Sequence, residues 1–208
     1  MGRIHIDLFM TLDGVAQAPG GPEEDPTDGF AFGGWQAPLI DEVDGEQIDA
    51  GMQGMDALLL GRRTYDIFAS YWPGQEDGRV GSIANLFNRI PKYVASRGAL
   101  EPEWAHATQL GEDLPAAVRE LRERHEKIHV IGSLDLVQTL FAEQLFDQLN
   151  LWVYPILLGT GKQVFAGGSV PTNLRLVAPA ETSPGGSVHL QYERVDGTPG
   201  TGSMDDLE

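Results

Sequence analysis

Short apolar runs that alternate with segments of helical periodicity constrain the fold more than any other feature of this chain. Five of these runs are separated by helix-like segments, at 3–10, 57–60, 92–95, 128–131 and 148–158. Two further runs, at 174–177 and 187–194, follow without a helix between them. Strands joined by helices pair in parallel, whereas strands joined directly pair antiparallel. The sequence therefore predicts a single α/β domain over residues 1–195, with a mostly parallel central sheet, flanking helices and antiparallel C-terminal strands, followed by a flexible tail at 196–208.

Composition limits the partners of such a domain. The chain has 14 Lys and Arg against 31 Asp and Glu, a formal net charge of −17 at pH 7, and this field repels nucleic acid and anionic membranes. The lack of cysteine excludes disulfides, thiolate catalysis and cysteine-ligated zinc, and the five histidines show no metal-ligand spacing. No apolar run is long enough to span a membrane and no leader precedes the opening strand, so we expect a cytoplasmic protein that binds neither metal, membrane nor nucleic acid.

The turn Gly61-Arg62-Arg63-Thr64 ends the apolar run Ala57–Leu60 and leads into a helix. The first turn of a helix carries unpaired N–H groups and the positive end of the helix dipole, which attract phosphate. Two arginines add planar donors that match phosphate oxygens. The segment is therefore either the phosphate site of a nucleotide cofactor or a basic surface turn without a ligand.

Two other strands end in turns of similar chemistry. Ser96-Arg97-Gly98 follows the run at 92–95, and Gly132-Ser133 follows the run at 128–131. In an open α/β sheet, ligands bind beyond the carboxyl ends of the strands, so the three turns surround one crevice if their strands are neighbours. The arginines could then hold a pyrophosphate and a ribose 2′-phosphate, and no Asp or Glu stands at Ser96–Gly98 to bind a free ribose 2′-hydroxyl. This pattern favours NADPH over NADH.

Four motifs in this order resemble the dihydrofolate reductase superfamily: Thr11–Gly14, Leu60–Tyr65, Ile131–Ser133 and Tyr154–Lys162. More closely, the chain is similar to the C-terminal reductase domain of bacterial riboflavin-biosynthesis deaminase/reductases and to its stand-alone relatives. The resemblance covers about residues 3–195 and implies a dihydrofolate reductase-like fold for this domain. The zinc deaminase domain has no counterpart here, as the missing cysteines require.

The resemblance implies an NADPH-dependent homodimeric reductase of a small-molecule substrate, similar to the reductases of 5-amino-6-(5-phosphoribosylamino)uracil. By the resemblance, three groups of residues contact the cofactor: Gly61, Arg62, Arg63 and Thr64 at its phosphates, Ser96 and Arg97 at the 2′-phosphate, and Gly132, Ser133 and Leu134 along the pyrophosphate or nicotinamide. Asp13 borders the substrate pocket. The riboflavin reductases commonly carry a basic residue soon after Asp-Gly, whereas Val15 and Ala16 follow here, and this difference argues against a phosphorylated pyrimidine.

Several residues on the substrate side have two interpretations. Hydride transfer needs a nicotinamide held against an electron-poor C=N carbon, with water excluded. Trp35, Tyr65 and Trp72 either wall such a pocket or belong to the core. Asp13 either orients the substrate and relays a proton or serves only as a turn residue. The segment 17–34, rich in Gly, Pro and acidic residues, is either a functional loop or a disordered excursion.

Three functions are therefore open at this point. The leading hypothesis is an NADPH-dependent reductase that transfers a hydride to a C=N-type centre of a small heterocycle. A nucleotide-binding dimer without turnover is the second, and the apolar run at 148–158 would serve dimerisation in either case. Dihydrofolate reductase activity is the third.

Overall fold

The computed structural model describes residues 1–166 and 169–206, and these form one sheet with helices packed on both faces. The strands are β1 Arg3–Thr11, β2 Ala57–Gly61, β3 Lys92–Ala95, β4 Ala107–Gln109, β5 Lys127–Ile131, β6 Gln148–Tyr154, β7 Asn173–Leu176, β8 Glu181–Thr182 and β9 Val188–Val195. The helices are α1 Glu42–Met52, α2 Arg62–Tyr71, α3 Gly81–Arg89, α4 Leu114–Arg124 and α5 Leu134–Ala142. In the part of the chain that the structure describes, none of these helices has the length and apolar character needed to cross a bilayer.

The strand order is β4-β3-β2-β5-β1-β6-β9-β7, with β8 beside β9. All neighbours from β4 to β6 pair in parallel, and β9 pairs antiparallel with β6, β7 and β8. β1 lies at the centre, where Ile6 stands opposite Val130 on one side and Leu149 on the other. The predicted parallel centre and antiparallel finish are thereby confirmed.

Side-chain alternation along the strands divides the core between the two faces of the sheet. On one face, Ile4, Ile6 and Leu8 of β1 pack with Val118 of α4 and Leu140 of α5. The other face is covered by α1 and α3, through a cluster that includes Ile48, Met52, Leu58, Leu60 and Phe87. Because the helices cover the faces, the carboxyl edge of the parallel strands is left to the connecting loops.

Some helix and strand boundaries differ from those predicted from the sequence. α2 begins at Arg62, so both arginines of the predicted turn lie in the first turn of the helix and not ahead of it. β6 ends at Tyr154 rather than at residue 158, because Pro155 has no N–H to donate to a neighbouring strand. The short strands β4 and β8 were not predicted. Within the predicted tail, residues 204–206 form a 3-10 turn.

Candidate functional site

A cavity of about 2460 Å³ opens at the carboxyl edge of the parallel strands. β3, β2 and β5 are adjacent in the sheet, so the turns that follow them lie side by side. All the predicted cofactor residues line this cavity: Gly61, Arg62, Arg63, Thr64, Ser96, Arg97, Gly132, Ser133 and Leu134. The structure therefore places the three turns around one opening, as predicted for the case in which their strands are neighbours.

The N-terminus of α2 borders this cavity without a side-chain cap. Gly61 is the N-cap residue, with an extended backbone (φ −74°, ψ 154°), and no acidic residue stands in the first turn of the helix. A glycine has no side chain that could accept from the N–H groups of this turn. These N–H groups and the positive end of the helix dipole are therefore available to an anion in the cavity.

Ser133 ties the turn after β5 to the turn after β2. Its hydroxyl oxygen accepts from the backbone N–H of Gly61 at 2.9 Å, and its own N–H donates to Thr64 Oγ1 at 3.1 Å. Gly132 and Ser133 both adopt the left-handed backbone conformation, with φ of +62° and +56°. At a serine this conformation costs about 1–2 kcal/mol, which the two hydrogen bonds offset. Ser133 thus sets the relative position of the two turns, and its contact with a phosphate stays a prediction.

The three arginines differ in the partners they already have. Arg62 donates from Nε to the carboxylate of Asp66 at 2.8 Å and from Nη1 to a backbone carbonyl in the loop after β3. Arg63 lies 3.7 Å from the carboxylate of Asp25. Arg97 is exposed and has no carboxylate partner among the described residues. An incoming phosphate would therefore meet the least competition at Arg97.

Residues 17–25 of the acidic segment 17–34 form one wall of the cavity. Gln17 closes the segment on itself, because its Nε2 donates to two backbone carbonyls of the segment at 3.0 Å. Asp25 accepts from Lys162 Nζ, in the loop after β6, at 2.6 Å. Burial opposes the ionisation of Asp25, but hydrogen bonds from Lys162 and a neighbouring hydroxyl outweigh it and hold the pKa of this carboxyl below its ordinary value. An ionised Asp25 between Lys162 and Arg63 fixes the segment in place, which argues against the disordered interpretation, and a functional role of the segment stays a prediction.

Of the three aromatic residues predicted to wall the substrate pocket, Trp72 lines the cavity, whereas Trp35 and Tyr65 do not. Tyr65 is buried, and its hydroxyl oxygen accepts from the backbone N–H groups of residues 103 and 104 at 3.1 Å. Trp35 is also buried and donates from Nε1 to the carbonyl of Gln17 at 2.9 Å. Because their polar atoms are already bonded within the protein, Trp35 and Tyr65 support the cavity walls from inside the core.

Asp13 does not line the cavity. Its carboxylate accepts from Thr11 Oγ1 at 2.5 Å and from the backbone N–H groups of Gly159 and Leu158 at 2.7 and 3.2 Å. These hydrogen bonds, foremost that from Thr11, hold the pKa of Asp13 below its ordinary value. A carboxylate that stays ionised and is surrounded by donors is poorly suited to relay a proton. The contacts place Asp13 as a link between the turn after β1 and the loop after β6.

Gln36 and Lys162 are two polar residues of this cavity to which sequence reasoning assigned no role. Gln36 lines it and donates from Nε2 to Tyr154 Oη at 2.8 Å. Lys162 stood in a recognised motif without a role, and its partner Asp25 lies 137 positions away in the sequence, so no local pattern reveals the pair. Among the residues described by the structure, no group of three or more His, Asp or Glu side chains is arranged to hold a metal ion.

Residues 3–187 match the family model described as the RibD C-terminal domain, which takes in most of the chain, from β1 to the start of β9. The chain belongs to the RibD C-terminal domain family. The resemblance inferred from the four motifs is thereby confirmed. A riboflavin-biosynthesis reductase-like fold is what the family and its structural neighbours share.

Relatives of this RibD C-terminal domain protein span nearly its whole length. YyaP of Bacillus subtilis, an uncharacterized protein, is 27% identical over 196 residues, which cover 91% of this chain and 94% of the relative. A candidate riboflavin biosynthesis protein from Shewanella sp. PV-4 superposes with a TM-score of 0.66 at 19% identity, covering 94% of this chain and 100% of its own. The Thermotoga maritima diaminohydroxyphosphoribosylaminopyrimidine deaminase/5-amino-6-(5-phosphoribosylamino)uracil reductase superposes with a TM-score of 0.60 at 17% identity, covering 93% of this chain and 57% of its own. At these identities the solved structures establish a common fold.

Proposed function

We propose that this protein is a cytoplasmic NADPH-dependent reductase that transfers a hydride to a C=N-type centre of a small heterocycle. The observation that carries the proposal is the shared cavity at the ends of β2, β3 and β5, where Arg62, Arg63 and Arg97 stand together on an anionic molecule. Family membership supports a reductase, since the Thermotoga relative of the same fold is named as one. The net charge of −17 supports a small-molecule substrate rather than nucleic acid or an anionic membrane.

The residues of the three turns fit the phosphate groups of NADPH. The uncapped N-terminus of α2, with Arg62 and Arg63, would hold the pyrophosphate. Arg97 would pair with the 2′-phosphate, and the turn 132–134 would border the rest of the cofactor. Bound NADPH supplies the hydride. The protein's own contribution is to bind and orient the two reactants and to exclude water from the space between them.

Titration with NADPH tests this assignment. We expect saturable binding that weakens about tenfold or more in the double variant Arg62→Ala/Arg63→Ala, because hydrogen bonds to charged groups contribute about 1.5–3 kcal/mol each. The matched control is Arg89→Ala/Arg119→Ala, which removes the same charge at exposed positions outside the cavity. Equal affinity of the wild type and the Arg62/Arg63 variant would remove the phosphate assignment. Loss of NADPH absorbance with a panel of heterocycles, dihydrofolate among them, then tests turnover.

A nucleotide-binding dimer without turnover is the second candidate, and an exposed apolar sheet face favours the dimer. Leu174 and Leu176 of the edge strand β7 are 41% and 42% exposed, and Tyr192 of β9 stands opposite Leu176 on the same face. Residues 148–154 of the run at 148–158 form β6, and both edges of this strand are taken by β1 and β9. A dimer contact would therefore use the exposed face and not the edges of β6. We propose a homodimer through this face and expect Leu174→Asp/Leu176→Asp to be monomeric by light scattering. NADPH binding without oxidation across the panel would favour this candidate.

A further inference from the structure

The cavity is larger than a single ligand needs. Its volume is about 2460 Å³, whereas pockets for one small ligand typically measure about 300–1,000 Å³. The strand-end turns line one part of it. The other part, here termed the α1/α3 compartment, is lined by residues 17–25 and by the cavity-facing residues of α1 and α3. If NADPH lies at the turns, the α1/α3 compartment is where the substrate binds.

The α1/α3 compartment is acidic, in contrast to the arginine-containing turns. Its carboxylates belong to Glu23, Glu24, Asp25, Asp41, Glu42, Glu46 and Asp49. The cations at its border are Lys162, which already binds Asp25 at 2.6 Å, Arg63, which lies 3.7 Å from the same carboxylate, and the exposed Arg79. Glu42 and Glu46 have no hydrogen-bonded or ion-pair partner within the described residues, so their charges are not compensated locally. A phosphate dianion is therefore disfavoured in this compartment, most strongly at low salt, because Glu42 and Glu46 are exposed and salt screens their charges.

Gln36 adds a polar contact of defined type. The residue lines the cavity and is 8% exposed. Its Nε2 donates to Tyr154 Oη at 2.8 Å, and its Oε1 has no partner within the described part of the chain. This oxygen is not one of the fully buried unpaired atoms, so it can accept from an N–H group of a ligand in the cavity. Phe9, Phe68 and Trp72 line the same cavity and offer flat apolar surfaces to an aromatic ring.

We infer, building on the proposed reductase function, that the substrate is a planar heterocycle with at least one N–H donor, with no phosphate group, and neutral or positively charged at neutral pH. The acidic compartment disfavours the phosphate, and Gln36 selects the N–H donor. Val15 and Ala16 agree with this class, because Val15 is buried and Ala16 lines the cavity, so neither position presents a cation there. The inferred class differs from the phosphorylated uracil derivative in the name of the Thermotoga relative.

A matched pair of ligands tests the inference. The probes are 5-amino-6-(ribosylamino)uracil and its 5′-phosphate, which share a planar ring with N–H donors and differ only in the phosphate. Calorimetric titrations at low salt, with and without saturating NADPH, should show the nucleoside binding about tenfold or more tightly than the phosphate. Equal or tighter binding of the phosphate, or no binding of the nucleoside up to about 1 mM, would overturn the inference.

NADPH is titrated separately, so failure of the proposed NADPH-dependent function can be distinguished from failure of the inferred substrate class. If NADPH does not bind, the proposed function falls, while the preference between the two probes still decides the chemistry of the compartment. If NADPH binds and the phosphorylated probe is preferred, only the substrate class falls.

Two charge-reversal variants locate the cause of the preference. Glu46→Lys should shift the affinity ratio of the two probes about threefold to tenfold toward the phosphate, because it places a cation in the compartment. Glu123→Lys makes the same charge change at an exposed position of α4 outside the cavity and should leave the ratio unchanged. Equal shifts in both variants would show that net charge, and not the compartment, sets the preference.

Gln36→Leu tests the polar contact. It should weaken nucleoside binding while the Kd of NADPH stays at the wild-type value. Undiminished nucleoside binding would remove Gln36 from the argument.

Discussion

Replacement of Arg97 by alanine separates the binding of the 2′-phosphate from the binding of the rest of the cofactor. Arg97 lines the cavity, is exposed and has no carboxylate partner among the described residues, so it gains a phosphate contact without first losing an ion pair. A hydrogen bond to a charged group contributes about 1.5–3 kcal/mol. Because Arg97 is exposed, solvent screens its charge, and we expect a contribution at the lower end of this range. About 1.4 kcal/mol corresponds to a tenfold change in Kd. We therefore expect Arg97→Ala to raise the Kd of NADPH about tenfold and to leave the Kd of NADH unchanged, because NADH has no 2′-phosphate.

Fluorescence titration of the reduced nicotinamide measures both dissociation constants. Arg119→Ala is the control, since Arg119 is an exposed arginine of α4 outside the cavity and its removal changes the net charge equally. A higher salt concentration should reduce the effect of Arg97→Ala, because screening weakens an exposed charge contact. The reasoning is refuted if NADPH and NADH lose affinity to the same extent, or if the control loses as much as Arg97→Ala.

Three further predictions concern the surroundings of the cavity and the core. Asp25→Asn should tighten NADPH binding several-fold, since Arg63 would no longer face a protein carboxylate at 3.7 Å; weaker binding would show instead that Asp25 positions Arg63. Asp13→Ala should lower the free energy of unfolding by about 1–3 kcal/mol, because the N–H of Gly159 loses its acceptor, and should leave the affinity for NADPH unchanged. Wild-type stability of this variant in chemical denaturation would contradict the linking role of Asp13. Burial lowers the pKa of His5 from 6.5 to about 4, and the electrostatic effect of His129 adds to this. Between pH 4 and pH 6.5 the unfolded chain therefore binds a proton at His5 more readily than the folded protein does. The free energy of unfolding should fall as the pH drops from 6.5 to 4, and less steeply in His5→Gln; identical slopes would count against this explanation.

The succession of the main strands and helices along the chain could be predicted because apolar periodicity survives in each of them, and the helices between the strands indicated the parallel centre. The helix boundaries were less accurate where a residue gives no local signal. α2 begins earlier than predicted because its N-cap is Gly61, which has no side chain to mark a helix start. β4 was missed because Ala107–Gln109 is a three-residue strand at the sheet edge without a buried side chain, so no two-residue periodicity shows in the sequence.

The arginine-containing side of the cavity was also predictable, because parallel strands all end at the same edge of the sheet. Only the adjacency of β3, β2 and β5 was undetermined, and the structure supplied it. The opposite side was not predictable. Asp25 and Lys162 are 137 positions apart, and Gln36 and Tyr154 are 118 apart. Each of these contacts depends on where β6 lies in the sheet, which no short motif encodes.

The two sides of the cavity are therefore held in place by different interactions. The turns at the strand ends are fixed by the parallel sheet and by the hydrogen bonds of Ser133, so their place follows from the fold itself. The segment 17–34 has little regular secondary structure and is held by a few polar contacts, chiefly the pair of Asp25 and Lys162. The segment touches the turns through the ion pair of Asp25 with Arg63, so we expect substitutions elsewhere in it to act on the substrate side. The four motifs consequently indicate the fold and the place of the strand-end turns, whereas the substrate has to be argued from the loop of this chain itself.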